Sequence, residues 1–220
     1  MLARMARTAS PRSDRAPRAR LDVDERRAQL LALGLTMFSE RSYDEVSIDD
    51  LARAAGVSKG LLYHYFPTKR DLYVAALGFA ARRLVEETTT ACGGPPEERV
   101  RLGLETYLHF VERHGKAYVA LMRGGIGSDP EVAAILEETR RTFAERILED
   151  VPEEIVSPLL KTALRGWIGF VEATSLEWVA HRRVERDALV AVASGVLFDA
   201  LTRAVTVVAE GKKAREERVA

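Results

Sequence analysis

Three helix starts fall between residues 47 and 71, and that spacing leaves room only for short helices joined by tight turns. Ser47-Ile48-Asp49-Asp50 sets a capping serine three residues ahead of an acid, a pairing that satisfies otherwise orphaned amide hydrogens. Ser58 opens a second segment, which Pro67 stops. Thr68-Lys69-Arg70-Asp71 repeats the capping pattern and launches a longer helix to about Thr90. Gly56 stands between the first two segments, where the turn needs a backbone conformation that a side chain opposes. A helix Ser47–Ala54, a turn at Gly56 and a helix Ser58–Tyr65 together have helix-turn-helix form.

The rest of the chain is read the same way. Apolar residues recur at helical spacing, and alternating strands flanked by Asn-Gly or Asp-Gly turns are missing, so the expected fold class is all-α. A first helix is expected at 24–40, with Leu30, Leu31, Gly34, Leu35 and Phe38 on one face. Cys92-Gly93-Gly94-Pro95-Pro96 reads as a linker, and further helices are expected near 97–113, 116–123, 130–149, 153–181 and 185–209. The expected organisation is a disordered Arg-rich tail (1–21), a three-helix helix-turn-helix domain (22–70), a larger helical domain (71–210) and a frayed polar tail (211–220).

Charge and composition narrow the function. The 220 residues carry 33 basic and 33 acidic side chains, which excludes a uniformly basic nucleic-acid coat. Cys92 is alone, so no disulfide scaffold forms within the chain. The longest unbroken apolar run, Leu72 to Ala81, is far short of the roughly 20 residues a membrane helix needs, so the expected setting is cytoplasmic. Neither a Gly-rich phosphate loop nor HExxH nor a Cys/His cluster with metal spacing occurs, and Gly124-Gly125-Ile126-Gly127 lacks a preceding strand. No enzyme activity, metal or cofactor is expected.

The second short helix offers Lys59, Gly60, Leu61, Tyr63 and His64 to a partner. A helix fits the major groove of B-DNA, Gly60 permits close backbone approach, and Tyr63 and Lys69 can bond to phosphates. Residues 22–70 nevertheless hold seven basic and eight acidic side chains. Binding therefore requires Arg53, Lys59, Lys69 and Arg70 to face phosphate with the acids elsewhere. The tail, with Arg4, Arg7, Arg12, Arg15, Arg18 and Arg20 against Asp14 alone, reads as a flexible arm that makes up the difference if the adjoining domain binds DNA, a solvated tail with no role or an organelle transit peptide being the alternatives. Deleting residues 1–20 is expected to weaken binding to all sequences and flatten its salt dependence, measured by titration across a salt series. An unchanged slope would sink the arm.

The stretch RRAQLLALGLTMFSERSYDEVSIDDLARAAGVSKGLLYHYFPTKRDL, from Arg26 to Leu72, strongly resembles the DNA-binding domain of the tetracycline-repressor (TetR) family. Ala55-Gly56-Val57-Ser58-Lys59-Gly60, Leu62-Tyr63-His64-Tyr65-Phe66, Lys69 and Leu72 carry the resemblance. Ser42 and Gly34 depart from the family's usual Gly and Ala, away from the DNA face. The resemblance implies a homodimeric, all-helical transcriptional regulator, usually a repressor, whose C-terminal domain dimerises and binds a small-molecule effector. By motif position, Ser47, Ser58, Lys59, Gly60, Leu61, Tyr63, His64, Tyr65 and Lys69 would contact double-stranded operator DNA, with Leu62 and Phe66 in the core. A dimer would set two recognition helices roughly 34–36 Å apart on a near-palindromic operator. An activator, or a DNA-binding protein without a ligand, is the alternative.

The last two expected helices are apolar on more than one side, which points to a four-helix contact between two chains, a wholly intrachain core being the alternative. Leu164, Trp167, Ile168, Val171, Trp178, Leu189, Val196 and Leu197 are the expected dimer residues. Tyr107, Phe110, His114, Tyr118, Met122, Phe143, Trp167 and Phe170 are candidate pocket residues, or plain core. Their bulk and low polarity suit a lipophilic ligand such as a fatty acid, an acyl thioester or a hydrophobic drug. His109 reads as surface, while Glu172 lies among apolar neighbours.

Overall fold

A computed structural model describes residues 23–90, 94–123 and 129–219. The Arg-rich tail, Cys92 and Gly124-Gly125-Ile126-Gly127 lie outside the described residues. Among those described, nine α-helices follow one another: α1 Val23–Glu40, α2 Ile48–Ala55, α3 Lys59–Tyr65, α4 Lys69–Thr90, α5 Pro96–Arg113, α6 Gly115–Arg123, α7 Pro130–Leu148, α8 Pro158–His181 and α9 Arg186–Val219. A single 3-10 turn, Glu153–Ile155, precedes α8.

The first three helices fold around one small core. Leu30, Leu31, Met37 and Phe38 of α1 pack with Leu51, Ala52 and Leu62, and Phe66 and Leu72 close the cluster. Gly56 caps α2 at φ 64°, the left-handed conformation that the Ala-Gly-Val turn requires. Ser42 has no such need: its amide and hydroxyl both donate to Glu45 Oε2, at 2.8 and 2.9 Å. The core does not end with the motif. α4 carries it onward through Tyr73, Val74 and Ala76 to Val132 of α7, so the helix-turn-helix unit is welded to the larger domain along α4.

Gly34 is where α1 and α4 approach each other. A Cβ built there would sit 3.5 Å from Leu72 Cδ1 and 3.7 Å from Ala76 Cβ, ordinary contact distances. The glycine is therefore not required by packing, and Gly34→Ala should stabilise the protein by about 1 kcal/mol through helix propensity. A raised melting temperature with unchanged circular dichroism would bear this out; a fall would mean the helices cannot give by the small amount assumed.

The second core joins α5, α8 and α9, and it takes in the expected dimer residues. Leu164, Trp167, Ile168, Val171, Trp178 and Leu197 are all buried within this one chain, with Leu164 and Leu197 at 0% exposure. Both indoles are also pinned internally: Trp167 Nε1 donates to Ala193 O at 2.8 Å and Trp178 Nε1 to Val184 O at 2.9 Å. Side chains so enclosed leave at most 8% of their surface for a partner. Leu189 and Val196 are only partly buried.

Two boundaries also differ from expectation. α8 begins at Pro158 rather than 153, because Ser157 caps it by accepting from Leu160 N and a proline fits the first helical position, not an interior one. α9 runs on to Val219 instead of fraying at Gly211, since Lys-Lys-Ala-Arg-Glu-Glu-Arg are good helix formers and one glycine does not break them. By length and composition α9 could cross a membrane, but Val190, Ala193, Leu197 and Ala204 are buried against this chain's own helices.

Candidate functional site

α3 stands out from the body of the helix-turn-helix unit. Ser58 caps it by accepting from Leu61 N at 3.1 Å. Leu62 turns inward, while Lys59, Gly60, Leu61, Tyr63 and His64 are exposed along one side. Leu61 and Tyr63 keep 38% and 46% of their surface, beside the exposed Lys59, Gly60 and His64. Tyr65 is half-buried against the core, edge-on to His64. Ser47 closes the capping box on α2: its Oγ accepts from Asp50 N at 3.1 Å, and Asp50 Oδ2 accepts from Ser47 N at 3.4 Å.

The cations of this unit are not free in the way the charge count demanded. Lys59 Nζ pairs with Asp49 at 2.5 Å, and Arg53 with Asp50 at 3.2 Å. Lys69 lies with its ammonium 4.2 Å above the Tyr43 ring and donates to Tyr43 O and Val46 O, holding the loop between α1 and α2. Only one of its three protons remains for a phosphate. The acids therefore sit beside the bases rather than away from them.

Arg70 departs furthest from expectation. Its guanidinium does not face outward for phosphate but clamps Asp129, the N-cap of α7, at 2.6 and 2.7 Å, and reaches Glu131 at 3.0 Å. The arginine holds the Asp129 carboxyl below its ordinary range. Its contribution to stability is thus present above the unfolded carboxylate pKa and is lost as pH falls through the lower folded value. Arg70→Ala should lower the melting temperature near neutral pH, and the gap to wild type should narrow below about pH 4. A gap that stays constant through that range would mean the clamp is not what the arginine supplies.

Behind the DNA-facing unit lies a cavity of about 670 Å³, within the size range of small-molecule sites. Tyr107, Phe110, His114, Tyr118, Met122, Phe143 and Trp167 all line it. Phe170 does not; it is half-buried in the second core instead. The wall is mostly hydrocarbon. Its polar groups include His114, Thr88, Thr139, the Tyr107 and Tyr118 hydroxyls, 2.6 Å apart, the Arg140–Glu172 pair, bonded at 2.7 and 3.0 Å, and the charged Glu97, Arg99, Arg146, Glu149 and Asp150. Burial raises both tyrosine pKa values, so both stay protonated at neutral pH. Glu172 is thus a paired group on the wall, and His109 is exposed, touching Arg186.

Two wall elements escaped sequence reading. Arg140 sits in a helix crowded with charged residues, and nothing local marks it as the partner of Glu172 on α8. Leu35 belongs to α1, in the helix-turn-helix unit, yet it borders the cavity.

A recognition helix presented by a compact three-helix unit, joined through α4 to a helical domain built round an apolar cavity, defines a two-domain DNA-binding regulator. Residues 30–76 match the family described as bacterial regulatory proteins, tetR family, and residues 96–194 match the tetracyclin repressor-like C-terminal domain. The chain belongs to the TetR family of transcriptional regulators. It is 33% identical over 153 residues to the transcriptional activator FasR of Mycolicibacterium smegmatis, covering 66% of this chain and 70% of that one. It is 27% identical over 167 residues to the transcriptional repressor KstR of Rhodococcus jostii, covering 74% and 77%. A solved tetR-family regulator from Streptomyces coelicolor superposes with a TM-score of 0.75 at 36% identity, covering 90% of each chain.

Proposed function

We propose that the protein is a cytoplasmic homodimer that binds a near-palindromic operator as a repressor and is released by a small lipophilic ligand held in the cavity. The observation that carries this reading is the sharing of elements: α1 and α4 build the DNA-binding core and also wall the cavity. A ligand that favours one arrangement of those helices changes how α3 is presented, by as much as its affinity for the two arrangements differs. The DNA face is Ser47, Ser58, Lys59, Gly60, Leu61, Tyr63, His64 and Tyr65, with Lys69 at its margin. The dimer surface is the outer side of α8 and α9, where Gly166, Gly169 and Gly195 have nothing within 4 Å of a built Cβ and Val192 is 56% exposed. An activator is the second reading, favoured by the likeness to FasR.

Selection from random duplex DNA at near-physiological salt tests the proposal. A two-fold symmetric motif is expected, and fatty acids or acyl thioesters added to the purified complex should release the selected duplex. Enrichment of no motif would overturn the sequence-specific dimer. Tighter binding on adding ligand would replace repression by the activator reading.

A further inference from the structure

The inner end of the cavity is the place where α1 meets it. Leu35 is the contribution of α1 to the wall, and one turn further along Ser39 Oγ lies 2.9 Å from His114 Nδ1. His114 caps α5 and lines the cavity, its ring 4.6 Å from that of Phe110. The hydroxyl proton of Ser39 is already given to Leu35 O, 2.7 Å away. With the proton so placed, Ser39 Oγ accepts and His114 Nδ1–H donates. Burial lowers the His114 pKa, which keeps the ring neutral with its single proton on Nδ1. Nε2, at the other edge of the ring, is left as a bare acceptor, and among the described residues none donates to it. A largely hydrocarbon wall thus carries an imidazole acceptor beside its contact with the DNA-binding unit.

We infer that His114 is the residue through which the helix-turn-helix unit reads the bound ligand: Nε2 takes a hydroxyl of a lipophilic alcohol while Nδ1 holds Ser39 and, with it, α1. The inference rests on the lipophilic cavity proposed above and narrows it to a ligand class, a lipid or polycycle bearing a hydroxyl at its inner end. A ligand that offers only acceptors there would leave Nε2 desolvated and unpaired, which disfavours it. The path onward is short. α1 packs on α4 with Gly34 against Leu72 and Ala76, so a displacement of Ser39 is passed to the helix that carries Lys69 and Arg70.

Decan-1-ol and 1-fluorodecane form a matched pair, near-isosteric and differing in the donor. Their binding is read from the emission of Trp167, which lines the cavity, with and without the duplex obtained by selection. Wild type is expected to bind the alcohol about fivefold more tightly than the fluoride, the worth of one ordinary hydrogen bond. His114→Phe keeps a ring beside Phe110 and should bind the two alike. Ser39→Ala removes the acceptor that holds the proton on Nδ1, and the alcohol's affinities with and without duplex should draw together, because the two sites then lose their shared element. A preference that survives in His114→Phe, or an undiminished duplex effect in Ser39→Ala, overturns the inference. If His114→Phe does not fold, the Ser39→Ala measurement decides alone. Equal binding of both probes by wild type removes the alcohol assignment and leaves the lipophilic site standing; binding of neither removes the site itself.

Discussion

Gly60→Ala is expected to leave the fold as stable as before, or slightly more so, while DNA affinity falls tenfold or more. Gly60 lies in the first turn of α3 with helical backbone, and a Cβ there would find only Ser58 Oγ, 3.9 Å away. Neither turn geometry nor packing calls for a glycine, and alanine is the better helix former by up to about 1 kcal/mol. What a Cβ would spoil is the outer surface, between Lys59 and Leu61, which is the part of α3 that must come closest to a groove floor or a phosphate. One methyl group at the closest approach separates the helix from its partner and lengthens the neighbouring hydrogen bonds. Two measurements on one variant check this: a thermal melt, and titration with the selected duplex. A melt that drops along with affinity would mean Gly60 serves the fold; an unchanged affinity would mean that α3 approaches DNA by another edge.

The same position shows what could be read without coordinates. Capping serines, the Gly56 turn and the Pro67 stop are local signals, each acting within four residues, and α1 to α4 appear within one residue or so of their expected bounds. Exposure of Lys59 to Leu61 and burial of Leu62 follow from helical periodicity alone. Partnerships across the fold have no such signal. Arg70 and Asp129 are 59 positions apart, Arg140 and Glu172 are 32 apart, and each looks on its own helix like any solvated charge. The aromatic wall was legible because bulk and low polarity travel with the residue type, whichever helix supplies it. Phe170 fails for the same reason: its type says buried, but only packing decides between cavity and core. α8 and α9 pose the same question. Two helices apolar on most sides suit a contact between chains or a core within one, and periodicity does not choose between them; only packing shows that Leu164 and Leu197 are fully enclosed by their own chain.

Gly195→Arg tests the proposed dimer surface, and its expected effect is large. Nothing in the chain lies within 4 Å of a Cβ at Gly195, so the long side chain extends into solvent in a single protomer and leaves Val190, Ala193 and Leu197 packed as before. In a dimer formed across α8 and α9, the same guanidinium is driven into a close helix–helix contact, where an unpaired charge is costly. The variant should sediment at 24.4 kDa instead of twice that mass, with its helical circular dichroism retained. Operator affinity should fall by 10²- to 10⁴-fold, because two linked half-sites become two independent ones. Leu164→Ala supplies the contrast. That side chain is fully enclosed, so its truncation should destabilise the fold itself by about 2–5 kcal/mol, whether or not a partner is bound. If Gly195→Arg remained a dimer with full operator affinity, the interface would have to lie elsewhere, and the exposed Val192 and the open glycines of α8 would need another occupant. If instead both variants lost helix together, the outer face of α9 would be contributing to folding of the single chain, which the empty surroundings of Gly195 argue against.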